Sequence, residues 1–190
     1  MLLLIDISES TRDRLKSGSS ILDVERLAVA VLAEAMSALG DPFGLLAFAS
    51  DGRDDVEMTS IKSFGKIYDR ACIGRLAGLA SGLSTRLGAA LRHAGKTIAH
   101  AKSSRKLLIV LTDGASPDVD VADPLDLVED ARHAANSLCR RGIDGFGVVL
   151  GRSGMGSAAR IFGHGNTMLV HRIEDLPGRL SELYFRLARR

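Results

Sequence analysis

A chain of 190 residues with 46% hydrophobic and 25% charged side chains has the composition of one globular domain with a substantial core. Its formal net charge of +2 is too small to make nucleic acid a main partner, and 4% aromatics with no Trp exclude an obvious stacking platform for bases or sugars. No apolar run reaches the about 18 residues that a membrane span needs.

The chain opens on a short apolar run, Leu2–Ile5, which reads as a buried strand. Met1–Ile5 is too short for a signal peptide and has no basic leader. Ser17–Ser20 is a loop, with Ser20 placed to cap a helix. From Ile21 to Leu39, the residues Val24, Leu27, Ala28, Val31, Leu32, Ala35 and Leu39 recur at helical spacing. Gly40-Asp41-Pro42 stops that helix, because glycine permits a left-handed cap and proline blocks continuation. Phe43–Ala49 is a second strand and Ser50–Asp55 a turn. Val56–Ile61 alternates apolar and polar residues, as an antiparallel edge strand with one wet face does.

Tyr68–Leu79 predicts a short helix, Gly82–Thr85 a loop and Arg86–Ala101 a further helix. Lys106–Leu111 is the fourth strand, followed by an Asp- and Pro-rich loop over Asp113–Pro124 and a helix over Leu125–Arg141, closed by Gly142. Ile143–Leu150 is a fifth strand, Gly151–Gly156 a glycine-rich loop and Ser157–Phe162 a short helix. Met168–Val170 is a sixth strand and Leu176–Ala188 a last helix. Leu183, Tyr184 and Leu187 are expected to pack this helix on the sheet, leaving Arg186, Arg189 and Arg190 in water.

Strands alternating with helices call for parallel strands joined by right-handed crossovers. The expected fold is α/β: a doubly wound, Rossmann-like three-layer sandwich around a six-stranded, mostly parallel sheet of order 3-2-1-4-5-6 with one antiparallel edge strand. In that order strands 1 and 4 are neighbours and the chain reverses between them, and ligands of such sheets bind outside the carboxyl ends at this switch point. Asp6 follows strand 1 and Asp113 follows strand 4, so the topology brings together two acids far apart in sequence.

After strand 1 stand Asp6-Ile7-Ser8-Glu9-Ser10, an Asp-x-Ser-x-Ser spacing. Carboxylates supply charge and hydroxyls neutral oxygens, the donor set of a hard cation such as magnesium. The absence of His or Cys in these segments disfavours zinc or copper. The same residues could also cap a helix. A third segment, Gly82-Leu83-Ser84-Thr85-Arg86-Leu87-Gly88-Ala89-Ala90-Leu91, carries Thr-x-x-Gly-x-Ala-Leu before a helix.

Together, Asp-x-Ser-x-Ser, this threonine segment and Thr112-Asp113-Gly114 resemble the metal-ion-dependent adhesion site of von Willebrand factor type A domains. The resemblance implies Asp6, Ser8, Ser10, Thr85 and Asp113 as ligands of Mg2+ (or Mn2+ or Ca2+). The segments around Asp6–Thr11, Ala38–Phe43, Ser50–Arg53, Ile61–Phe64, Leu83–Ala94 and Arg160–Gly163 are similar to the C-terminal domains of NorD-type nitric-oxide reductase activation proteins and CbbO-type Rubisco activase subunits. That similarity implies a cytoplasmic, non-enzymatic adaptor working with a hexameric AAA+ ATPase of the MoxR class. It would dock a client enzyme, such as Rubisco or nitric-oxide reductase, through a carboxylate on the bound cation. A core strand that starts almost at Met1 fits one domain, residues 1–190, excised from the C-terminal end of a longer protein. Glu9 departs from the glycine that many adhesive members carry there, and Glu9 and Arg86 are the expected partner-contact residues.

Several features have plainer readings. Arg86, Arg92, His93, Lys96 and His100 form a solvated helix face or a basic rim for an acidic partner. Asp118, Asp120, Asp123 and Asp126 form a solvated, helix-capping acidic loop or a second cation site. Gly151–Gly156 has the look of a phosphate loop but lacks its Gly-Lys-Ser/Thr end, and His164 and His171 stand alone. Cys72 and Cys139, without a CxxC or a Cys/His cluster, read as reduced thiols. The competing functional class is a magnesium-dependent phosphatase or phosphotransferase with Asp6 as nucleophile. Such enzymes place a second Asp two residues on as acid/base, and here Ser8 stands there.

Overall fold

Leu2–Asp6 (β1) is buried along its whole length, as an apolar run without alternation requires of a strand covered on both faces. The computed structural model describes residues 1–52, 55–103, 105–114, 123–151 and 154–188. β1 pairs in parallel with Gly44–Asp51 (β2) on one side and Lys106–Thr112 (β4) on the other. Ile143–Leu150 (β5) and Thr167–Val170 (β6) continue the parallel sheet beyond β4, and Asp55–Lys62 (β3) closes the other edge antiparallel to β2. The strand order is β3-β2-β1-β4-β5-β6, the order expected from the alternation of strands and helices.

Among the described residues, six α-helices cover the two faces: Ile21–Leu39 (α1), Arg70–Ala77 (α2), Leu87–Ala99 (α3), Pro124–Arg140 (α4), Met155–Phe162 (α5) and Leu176–Ala188 (α6). One face of the sheet, with Leu3, Ile5, Leu45, Ala47, Ile109 and Leu111, packs on α1, α2 and α6. The other, with Leu2, Leu4, Leu46, Phe48, Leu108 and Val110, packs on α3, α4 and α5. Each of these leucine, isoleucine, valine and phenylalanine side chains contributes about 1.5–3 kcal/mol by leaving water. Leu183, Tyr184 and Leu187 pack α6 on the first face as expected, and Arg186 is exposed. Among the described residues, no helix is long and apolar enough to cross a membrane.

The helix signals act as their chemistry predicts. The Ser20 side chain accepts from the Asp23 N–H at 3.1 Å while the Asp23 carboxylate accepts from the Ser20 N–H at 2.9 Å. Gly40 ends α1 at φ +73°. Boundaries shift where a polar group intervenes. Phe43 lies outside β2, and its carbonyl accepts from the buried Lys62 ammonium at 2.7 Å. α2 starts at Arg70 because the Asp69 carboxylate accepts from the Cys72 N–H. α4 takes Asp123 as its cap and Pro124 as its first residue. A short 3-10 turn over Glu9–Arg12 has no counterpart in the sequence reading.

Candidate metal centre

β1 delivers Asp6 to the carboxyl end of the sheet fully buried, beside the end of β4. Backbone bonds then fasten the next residues to two neighbours. The Ile7 N–H donates to the Phe48 carbonyl of β2, the Gly82 N–H to the Ile7 carbonyl, and the Glu9 N–H to the Leu83 carbonyl, each at 2.9 Å. Ser50 and Ser84 exchange a further pair of backbone bonds at 2.9 and 2.7 Å. The Asp-x-Ser-x-Ser segment and the threonine loop are thus zipped together. Leu83 at the seam takes φ +66°, a left-handed conformation that a branched side chain rarely adopts.

The side chains converge on the Asp6 carboxylate. Oδ1 accepts from the Ser8 N–H at 3.0 Å. The Thr85 hydroxyl, buried on the threonine loop, lies 3.3 and 3.4 Å from the two oxygens. Thr112, the last residue of β4, donates its hydroxyl to Oδ2 at 2.9 Å. The Ser8 and Ser10 hydroxyls stand 3.2 Å apart, held there by the 3-10 turn, and the Thr11 hydroxyl donates to the Ser8 carbonyl at 2.8 Å. Asp113 follows directly and is buried. The structure therefore brings Asp6, Ser8, Ser10 and Thr85 together, with Asp113 beside them at the end of β4.

Burial pushes the Asp6 carboxyl up to about 6; Asp113's charge adds to the effect, while hydrogen bonds from Ser8 and Thr112 oppose it. Such an acid is poorly compensated by its surroundings. The helix-cap reading of the serines is not what the geometry uses, since Ser8 stands at the N-cap of the 3-10 turn and makes no side-chain cap bond. The donor set is hard throughout: two buried carboxylates and three hydroxyls, with neither imidazole nor thiol among these residues. It fits a hard divalent cation better than a soft one. Among the described residues, no three His, Cys, Asp or Glu side chains form a cluster that could hold an ion by themselves, so hydroxyls must complete any ligand set.

Gly114 and Gly154 fix the backbone around Asp113. A Cβ on Gly154 would meet the Asp113 carbonyl oxygen at 2.5 Å and the Gly114 Cα at 2.2 Å, so the start of α5 presses directly on the loop after β4.

Glu9 is exposed and pairs with Arg12 at 2.7 Å. Its charge is accommodated at the rim. Arg86 stands at the N-cap of α3 with its Nε and Nη2 buried, whereas Arg92, His93, Lys96 and His100 form the solvated face. Of the acidic loop, Asp123 caps α4 and Asp126 lies in its first turn, while Asp118 and Asp120 lie outside the described residues. Arg152 and Ser153 of the glycine-rich loop, Arg53 and Asp54 of the turn after β2, and the terminal Arg189 and Arg190 also lie outside them. His164 and His171 are exposed, and both cysteines are free.

Sequence reasoning placed Thr112 in the Thr-Asp-Gly segment just after the fourth strand but missed its own role, the hydroxyl bond to Asp6. It also missed Glu25 on α1, an ionisable side chain that is buried completely. The signal was present: Ile21, Glu25, Ala28 and Leu32 share one helix face, and Glu25 is the only ionisable residue in that stripe.

Comparison with known proteins agrees with this architecture. Residues 1–183 match the family of the von Willebrand factor type A domain. The chain is 37% identical over 186 residues to the protein NorD of Brucella melitensis, covering 98% of this chain and 29% of that protein. It is 36% identical over 169 residues to NorD of Stutzerimonas stutzeri, covering 89% and 28%. The chain thus spans less than a third of the curated relatives it matches. Among solved structures, proximal thread matrix protein 1 from the mussel byssus, with a zinc-occupied MIDAS motif, superposes with a TM-score of 0.72 at 19% identity, covering 98% of this chain and 47% of that one. BatB from Bacteroides thetaiotaomicron superposes with a TM-score of 0.68 at 19% identity, covering 100% and 98%.

Proposed function

The chain belongs to the von Willebrand factor type A family, and from that premise we propose that it is a cation-dependent docking domain that captures a carboxylate of a protein partner. Asp6, Ser8, Ser10, Thr85 and Asp113 hold the ion, Mg2+ in the first instance, with Mn2+ or Ca2+ as substitutes. The observation that carries this reading is the convergence of three chain segments on one buried, poorly compensated carboxylate at the switch point of the sheet. When bound, the cation supplies a positive charge with a free coordination position, to which a partner's Asp or Glu adds.

The chain's own residues supply the rest. Thr85 and Thr112 hold Asp6 in place through their hydroxyls, and Ser8 and Ser10 present adjacent neutral oxygens. Glu9 stands exposed at the rim, where its charge selects the partner's surface and its approach rather than holding the ion, while Arg86, whose Nε and Nη2 are buried, offers that surface little of its charge. The partners are a client enzyme and a hexameric AAA+ ATPase of the MoxR class. The likeness to NorD proteins supports a protein partner; the MoxR-class ATPase, a client such as nitric-oxide reductase or Rubisco, and the cytoplasm as the compartment are part of the proposal.

The phosphatase reading has less support. Asp6 is fully buried with both oxygens engaged by neighbouring donors, and Ser8 cannot protonate a leaving group in the place of an acid. The deciding experiment is capture of the ATPase or client with Mg2+ and with EDTA, using the parent, Asp6→Ala and Asp113→Ala. Capture that survives EDTA and both substitutions would overturn the proposal. So would magnesium-dependent turnover of phosphate esters that Asp6→Asn abolishes.

A further inference from the structure

Glu25 lies in the early part of α1, whose buried side packs on the sheet face that carries Ile5 and Ile7, the chain neighbours of Asp6. It is 0% exposed, and neither carboxylate oxygen has a hydrogen-bond partner among the described residues. No lysine or arginine among those residues forms an ion pair with it. Burial raises its pKa well above the usual carboxylate range, and the repulsive charges of Asp6 and Asp113 add to the effect. A buried acid left in this condition destabilises the fold unless a positive charge is supplied or the proton is kept. Leucine or alanine would serve the packing of α1 better, as its neighbours on the same stripe do.

We propose that Glu25 is a third carboxylate of the cation centre, reaching the ion held by Asp6, Ser8, Ser10, Thr85 and Asp113 through an intervening water. The inference rests on the docking-site reading above and deepens it. Water mediation follows from the arrangement, because no three acidic side chains among the described residues stand close enough to hold an ion directly. Outer carboxylates of this kind orient the bound water and add negative potential, and losing one weakens metal affinity by about 10–100-fold.

Binding of Mn2+ by calorimetry and of Tb3+ by luminescence, on the parent chain, Glu25→Gln, Glu25→Leu and Asp6→Ala, tests this. Glu25→Gln keeps the shape and should weaken Mn2+ by about tenfold or more. It should weaken Tb3+ by a larger factor, because the attraction lost grows with the charge of the ion. A packing defect would weaken both ions alike. Circular dichroism and melting in EDTA report on the fold, and Glu25→Leu should melt above the parent there. Unchanged affinities in Glu25→Gln, with binding abolished in Asp6→Ala, would overturn the role of Glu25 and leave the docking site standing. Equal losses for both ions would overturn it too. No cation binding by the parent would overturn the centre and this inference together.

Discussion

Thr112 hangs its hydroxyl between two partners: it donates to Asp6 Oδ2 at 2.9 Å and accepts from the Gly114 N–H at 3.0 Å. One side chain therefore ties the end of β4 to the end of β1 and sets the direction of the loop that carries Asp113. Thr112→Val keeps the shape but removes both bonds inside a buried site. It should lower stability by about 1–3 kcal/mol, since a buried donor and acceptor lose their partners. It should also raise the Asp6 titration above its value of about 6, because the Thr112 bond favours the charged form. Urea denaturation and carboxyl NMR check the two effects. Unchanged titration would mean that Thr112 only shapes the turn.

The raised Asp6 carboxyl makes a signed pH prediction for the cation-free protein. Its value moves from 3.8 to about 6 on folding, so between these limits the folded state binds the proton more tightly. Stability contributed by this group is present below about 3.8 and is lost as pH rises through about 6, an effect of about 3 kcal/mol. Glu25 acts in the same direction. Exposed acids such as Asp23 and Asp69, whose values are lowered, act in the opposite sense at low pH. The readout is therefore the difference between the parent and Asp6→Asn in EDTA: the parent should gain stability relative to the variant on going from pH 7 to pH 4.5. With saturating Mn2+ the sign should reverse, because the proton then competes with the ion. A flat difference in EDTA would show that Asp6 is solvated well enough to ionise normally.

The fold was legible because its signals are local and redundant. Apolar runs alternate with helical stripes, which leaves a doubly wound sheet as the economical topology, and the order of β1 and β4 then places Asp6 near Asp113. Asp6, Ser8 and Ser10 stood out because polar residues at the end of a buried run are anomalous. Thr112 drew notice only as the lead-in to Asp113, because a threonine at a strand end is ordinary and nothing in the spacing shows its hydroxyl reaching Asp6. Glu25 did not stand out, because one acid within a long helix is usually solvated, and only the packing of α1 shows that it is not. The turn over Glu9–Arg12 was hidden for another reason. Alternating spacing suggests an extended chain, and only the backbone bonds to the Leu83 loop reveal the curl that sets the Ser8 and Ser10 hydroxyls 3.2 Å apart.

Gly154 should matter to cation binding although it carries no ligand. A methyl group there would lie 2.5 Å from the Asp113 carbonyl oxygen and 2.2 Å from the Gly114 Cα, and both are backbone atoms that can yield only by moving the loop. Gly154→Ala should lower stability by about 1–3 kcal/mol, the usual range for forced overpacking. It should weaken Mn2+ by more than that loss of stability explains, because the displaced segment carries Asp113. Gly156→Ala is the control, since a Cβ there meets nothing within 4 Å. Equal behaviour of the two variants in calorimetry would show that the loop adjusts without moving Asp113.

Leu83 gives a test in which stability and site geometry separate. Its φ of +66° places a branched side chain in a conformation that costs about 1–2 kcal/mol, while the side chain itself is 40% exposed. Leu83→Gly relieves the strain and keeps the carbonyl that accepts from the Glu9 N–H. The greater freedom of glycine in the unfolded chain offsets about 0.5–1 kcal/mol of that gain. The net expectation is a stabilisation of up to about 1 kcal/mol with Mn2+ affinity unchanged. Leu83→Ala keeps the strain and loses the same apolar contacts, so the difference between the two variants in urea isolates the backbone contribution. If Leu83→Gly captures a partner as well as the parent does, the strain is a by-product of closing the loop. If capture falls while Mn2+ binding holds, the leucine side chain is part of the docking face and its strained backbone is what holds it out beside the centre.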